Sequence, residues 1–98
     1  KLWDNTTYFR DSLSQAGFKL SGGDHPIIPV MVGDAALAGR MAERLLERGI
    51  YVVGFSYPVV PQGQARIRTQ MSAGLDREQL EYAVTAFIEV GRELEIIA

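Results

Sequence analysis

Two arginines at a spacing of two, Arg66 and Arg68, are the side chains of this sequence best suited to chemistry. On an extended strand, residues i and i+2 project from one face. A guanidinium grips a carboxylate through two parallel hydrogen bonds, which suits recognition of a carboxylic acid. The same pair also fits the solvated face of a half-buried antiparallel sheet, and the spacing alone leaves both readings open. His25, the single histidine, lies between Asp24 and Pro26 at the mouth of a predicted strand. Without a second histidine or a cysteine it makes a poor metal site, and it reads as a surface or capping residue. No serine sits in a nucleophile-elbow context. Gly22 and Gly23 precede a strand, not a helix, so they are turn residues and not a phosphate loop. The stretch Tyr57-Pro58-Val59-Val60-Pro61 is apolar and stiffened by its prolines. It fits either a connection packed on the domain's own core or a rigid segment lining a cleft or interface.

The whole chain bounds what these residues can serve. It has 98 residues, one domain's worth, with 47% apolar and 22% charged residues, enough apolar side chain for a core. Ten basic residues face twelve acidic ones, for a net charge of −2, which argues against a general nucleic-acid binder. The absence of cysteine excludes disulfides, thiolate metal sites, iron–sulfur clusters and a cysteine nucleophile. No apolar run is long enough to span a bilayer. Lys1-Leu2-Trp3-Asp4 does not read as a secretory signal, so a reducing, cytosol-like compartment is expected.

Hydrophobic periodicity supplies the elements. Leu2, Thr6, Phe9, Leu13 and Ala16 form a helical stripe that Gly17 ends. No cap precedes Leu2, which fits either a native terminus or a cut through a longer chain. Pro26 to Val32 is a strand whose two prolines predict an edge position or a late start to its ladder. Asp34 caps a second helix, with Leu37, Met41 and Leu45 in one row, Ala38, Ala42 and Leu46 beside it, and Gly49 as the stop. Ile50 to Phe55 is a second strand, and Ser56 to Gly63 an extended connection. Gln64 to Met71 alternates with period two, one face (Ala65, Ile67, Thr69, Met71) largely apolar and the other (Gln64, Arg66, Arg68, Gln70) wholly polar. Asp76 and Gln79 resemble a capping box for a last helix with Leu80, Ala83, Val84, Phe87, Ile88, Gly91 and Leu94 inside. If the third strand inserts between the first two, every neighbouring pair is antiparallel. The expected class is α+β: a small antiparallel sheet of about three strands covered by helices.

From Gly49 to Ala73 the sequence resembles the α-oxoamine synthases, pyridoxal-phosphate enzymes that condense an amino acid with an acyl-CoA. The specific part is Pro58-Val59-Val60-Pro61 followed by Ala65-Arg66-Ile67-Arg68. Ala16-Gly17-Phe18, His25 to Met31 and the Ile96-Ile97-Ala98 ending extend the resemblance over essentially the whole chain. It implies the C-terminal small domain of a fold-type I pyridoxal-phosphate enzyme, spanning residues 1–98, with the large cofactor-binding domain outside this chain. Neither Lys1 nor Lys19 has the glycine-flanked context of the family's Schiff-base lysine. No catalytic, cofactor-binding or metal residue is therefore expected here, and the chain alone is expected to be inactive. The motif's second arginine, Arg68, matches the family's substrate-carboxylate ligand. Arg66 matches the first and is expected to be structural or interfacial.

Within the family the resemblance is greatest to enzymes joining glycine and acetyl-CoA into 2-amino-3-ketobutyrate and CoA, reversibly, in threonine degradation. It further implies a homodimer, no nucleic-acid or membrane partner, and a cytoplasmic location, or the mitochondrial matrix in a eukaryote. The rival readings are an α-oxoamine synthase with another acyl-CoA or amino acid, and a free-standing, non-catalytic α+β binding module. The apolar tail and the Pro58–Pro61 run are expected to be partly exposed, as surfaces that a partner covers.

Overall fold

The computed structural model describes residues 2–20, 27–70 and 74–97. His25, the turn at 21–24, the strand end at Met71 and the terminal Ala98 lie outside them. The first stripe forms α1 (Leu2–Ala16), which buries Thr6, Phe9 and Leu13. Gly17 then adopts φ +113°, a conformation that side chains disfavour, and the Phe18 N–H donates to the Leu13 carbonyl at 3.1 Å.

Four strands follow: β1 (Lys19–Leu20), β2 (Ile27–Gly33), β3 (Val53–Phe55) and β4 (Ala65–Gln70). Their order is β1-β2-β4-β3 and every described pairing is antiparallel. The last strand thus inserts between β2 and β3, the arrangement that makes every neighbouring pair antiparallel. β1 is the strand beyond the three expected, since two residues carry no readable period. It also makes β2 an interior strand, which rules out the edge position and leaves the other expectation, a ladder that starts late. Pro29 is tolerated because the described residues of β1 reach only Met31 and Val30, leaving Pro29 past that ladder. The β2–β4 register slips between Met31 and Gly33, with Gly33 at φ +94°, a bulge that glycine accommodates.

The other helices are α2 (Ala35–Glu47) and α3 (Arg77–Glu93). Asp34 accepts from the Leu37 N–H at 3.0 Å, and Asp76 and Gln79 complete a reciprocal capping box. Helix α2 packs on β2, β3 and β4, while α3 lies between α1 and α2. Ala38, Met41 and Leu45 fill the α2 side of the core. Leu46, one residue around the helix, is 59% exposed, so the expected second row faces partly outward. Covered on two sides, α3 buries Ala86 and Val90 as well as Leu80, Val84 and Phe87. Phe9 meets Phe87 edge-on at 5.4 Å between centroids, and Phe18 meets it at 6.3 Å.

Two further expectations fail, and a third fails in part. Ile50 to Val52 is not strand: the Ile50 N–H donates to the Leu45 carbonyl at 2.9 Å, finishing α2, and pairing starts only at Val53. The Ser56–Gly63 connection is not extended. The N–H groups of Val59 and Val60 both donate to the Ser56 carbonyl, at 2.9 and 3.2 Å, and close a turn containing a cis Tyr57–Pro58 bond. The tail is not exposed at Ile97, because Ile96 and Ile97 donate to the Gly91 carbonyl at 2.8 and 3.3 Å and fold Ile97 back over Gly17. Tyr57 and Val59, by contrast, are 61% and 73% exposed. Among the described residues no helix is long and apolar enough to cross a membrane.

Candidate functional site

The alternation in β4 divides the sheet into two unlike faces. Ala65, Ile67 and Thr69 point to the helices and are buried, and the Thr69 hydroxyl donates to the Ile28 carbonyl at 2.9 Å. Arg66 and Arg68 point the other way, where the described helices do not cover them. Cross-strand register then fixes their neighbours. Pro29, Arg68 and Val53 form one row across the sheet, and Met31, Arg66 and Phe55 the next. The four apolar side chains of these rows are half-buried, a partly hydrophobic floor under two cations.

The two guanidinium groups differ in what they already hold. The Nε of Arg66 donates to the Gln64 carbonyl at 3.2 Å, and its Nη2 lies 3.5 Å from Gln64 Oε1. Arg66 is half-buried and folded back along its own strand. Arg68 is exposed and makes no ion pair among the described residues. Its Cζ lies 4.9 Å from the centroid of the Phe55 ring. A cation against an aromatic face keeps its N–H edges free. Arg68 can therefore offer a planar fork to a carboxylate, whereas Arg66 is partly spent.

The described residues do not assemble a site for pyridoxal phosphate. That cofactor needs a lysine for its Schiff base and an acid facing its ring nitrogen. Lys19 is exposed on β1 opposite Met31 and makes no ion pair or ring contact among the described residues. Lys1, the other lysine, lies outside the described residues. Among the described residues no group of His, Asp or Glu could hold a metal ion. A hollow of about 530 Å³ opens between Gly49–Val52 and α3, lined by Phe9, Ile50, Leu80 and Phe87 but by neither arginine. Sequence reasoning singled out both arginines but not Phe55. Its signal was the period two of Val53-Gly54-Phe55, which puts an aromatic ring on the open face of a strand that pairs with β4.

The model of the class I and II aminotransferases matches residues 1–87. The chain belongs to that family. Among curated members, it is 57% identical to the 2-amino-3-ketobutyrate coenzyme A ligase of Escherichia coli K12, over 100% of this chain and 25% of that protein. It is 44% identical to the 8-amino-7-oxononanoate synthase of Symbiobacterium thermophilum, over 99% of this chain and 25% of that protein. Of solved structures, the serine palmitoyltransferase of Sphingomonas wittichii superposes with a TM-score of 0.93 at 31% identity, over 99% of this chain and 25% of that one. Serine palmitoyltransferase structures with bound pyridoxal phosphate match too. The relatives are thus pyridoxal-phosphate α-oxoamine synthases, and the chain spans about a quarter of their length. The small α+β architecture is that of a domain of fold-type I enzymes.

Proposed function

We propose that residues 1–98 are the C-terminal small domain of a pyridoxal-phosphate-dependent C-acyltransferase. The reaction joins glycine to acetyl-CoA, reversibly, giving 2-amino-3-ketobutyrate and CoA, the chemistry of a glycine C-acetyltransferase in threonine breakdown. The greater identity to the ligase, 57% against 44% for the oxononanoate synthase, supports glycine and acetyl-CoA over another pair. In this reading the rest of the protein holds the cofactor, which serves as electron sink for the carbanion formed at the glycine α-carbon. The chain pairs with a second copy as a homodimer.

Arg68 is the residue this domain brings to the reaction. The observation that carries the assignment is its exposed guanidinium on the open sheet face, against Phe55 and in no ion pair among the described residues. Two parallel hydrogen bonds from the fork would hold the glycine carboxylate and so fix how the α-carbon is presented. Arg66, tied to Gln64, shapes the same face without holding substrate. The full-length protein tests this reading. Assayed with glycine and acetyl-CoA, and then with other amino acids and longer acyl-CoA thioesters, it should turn over the first pair most efficiently. A clear preference for another pair would move the chain to a different α-oxoamine synthase. The 98-residue chain alone should neither retain pyridoxal phosphate through gel filtration nor turn over.

A further inference from the structure

We infer that Phe55 is a positioning residue for Arg68, and that substrate-carboxylate binding depends on its ring. The inference rests on the reading of Arg68 as the carboxylate ligand. Phe55 sits opposite Arg66 in the ladder, while Arg68 sits opposite Val53. The Phe55–Arg68 contact is therefore diagonal, a separation that only a large ring and a long side chain can bridge. At 4.9 Å from Cζ to the ring centroid it is the contact that holds the Arg68 guanidinium among the described residues. An exposed arginine without such a backstop samples many rotamers, and ordering it on substrate arrival costs conformational entropy. The half-buried ring of Phe55 limits that freedom before substrate arrives and occupies only the guanidinium face, so the donating edges stay open. Arg66 needs no such backstop, because Gln64 already fixes it. The ring thus raises affinity for the carboxylate without touching it. It should affect the amino acid and not the acyl donor.

The test is steady-state kinetics of the full-length enzyme, with glycine and acetyl-CoA varied separately, on Phe55→Leu, Phe55→Tyr, Arg68→Ala and the Phe55→Leu/Arg68→Ala double variant. Phe55→Leu should raise the KM for glycine about three- to tenfold while kcat and the KM for acetyl-CoA stay near normal. Phe55→Tyr, which keeps the ring face, should stay near the parent. In the Arg68→Ala background, Phe55→Leu should change the KM for glycine by less than about twofold, because the residue it acts through is gone. If the two losses multiply independently, or if Phe55→Leu alters both substrates alike or only the melting temperature, the inference fails while Arg68 keeps its role. If Arg68→Ala itself leaves glycine use intact, the carboxylate reading falls and this inference with it.

Discussion

The two faces of the sheet use the same strand for opposite ends. On the helix side, Ile28, Val30, Ile67 and Ala65 are buried in one apolar cluster with residues of α2 and α3. On the other side, Arg66 and Arg68 stand over half-buried Pro29, Met31, Val53 and Phe55. Adjacent residues such as Ile67 and Arg68 thus answer to different demands. One removes apolar surface from water and stabilises the domain. The other keeps a charge available, which favours a partner over stability. The face contributing least to this domain's core is thus the one that carries the proposed carboxylate ligand, Arg68.

That division breaks most visibly at Ile67. Ile67→Ala should cost about 2–5 kcal/mol in urea unfolding of the 98-residue chain, because it opens a cavity under α2. Arg68→Ala, next to it, should stay within about 0.5 kcal/mol of the parent. Equal losses at the two positions would erase the distinction. Gly91→Ala sharpens the same point from the α3 side. An added Cβ would lie 2.5 Å from Phe18 Cζ and 3.2 Å from Ile97 Cγ1, so the packed ring must move. A loss of about 1–3 kcal/mol is expected from such overpacking, read as a lower melting temperature. Asp76→Ala removes the cap that starts the helix covering the buried face and should cost about 1 kcal/mol by the same measurement. Smallest is Arg66→Ala, an open-face change. In the full-length enzyme it should shift the KM for glycine far less than Arg68→Ala does.

Much of this is legible in the amino-acid sequence. The alternation from Ala65 to Thr69 declares which side chains face out, and Gly17, Asp34 and the Asp76–Gln79 box mark helix ends through local chemistry. Such signals lie within a few residues of what they control. The misreadings came where distant parts decide. Pro29 sits in an interior strand, past the described pairs of β1, which reach only Met31 and Val30. Ile97 is buried because Gly91 leaves room beneath it. The Ser56 turn is the exception, a local closure by the Val59 and Val60 N–H groups that the flanking prolines do not advertise. The same limit applied at the site. Arg66 and Arg68 are equivalent by spacing, and only the fold shows one tied to Gln64 and the other resting on Phe55.

The proposed role of Arg68 as holder of the amino-acid carboxylate is tested most directly by the kcat/KM for glycine of full-length Arg68→Ala beside that for acetyl-CoA. Removing one side of a desolvated charge pair costs about 2–5 kcal/mol, or about 30- to several-thousand-fold in kcat/KM for glycine. The acetyl-CoA constant should change far less, and Arg68→Lys should recover only part of the loss, since an ammonium cannot reproduce the planar fork. Near-normal kcat/KM for glycine in Arg68→Ala, with the loss appearing in Arg66→Ala instead, would contradict the claim and move the carboxylate to the other arginine.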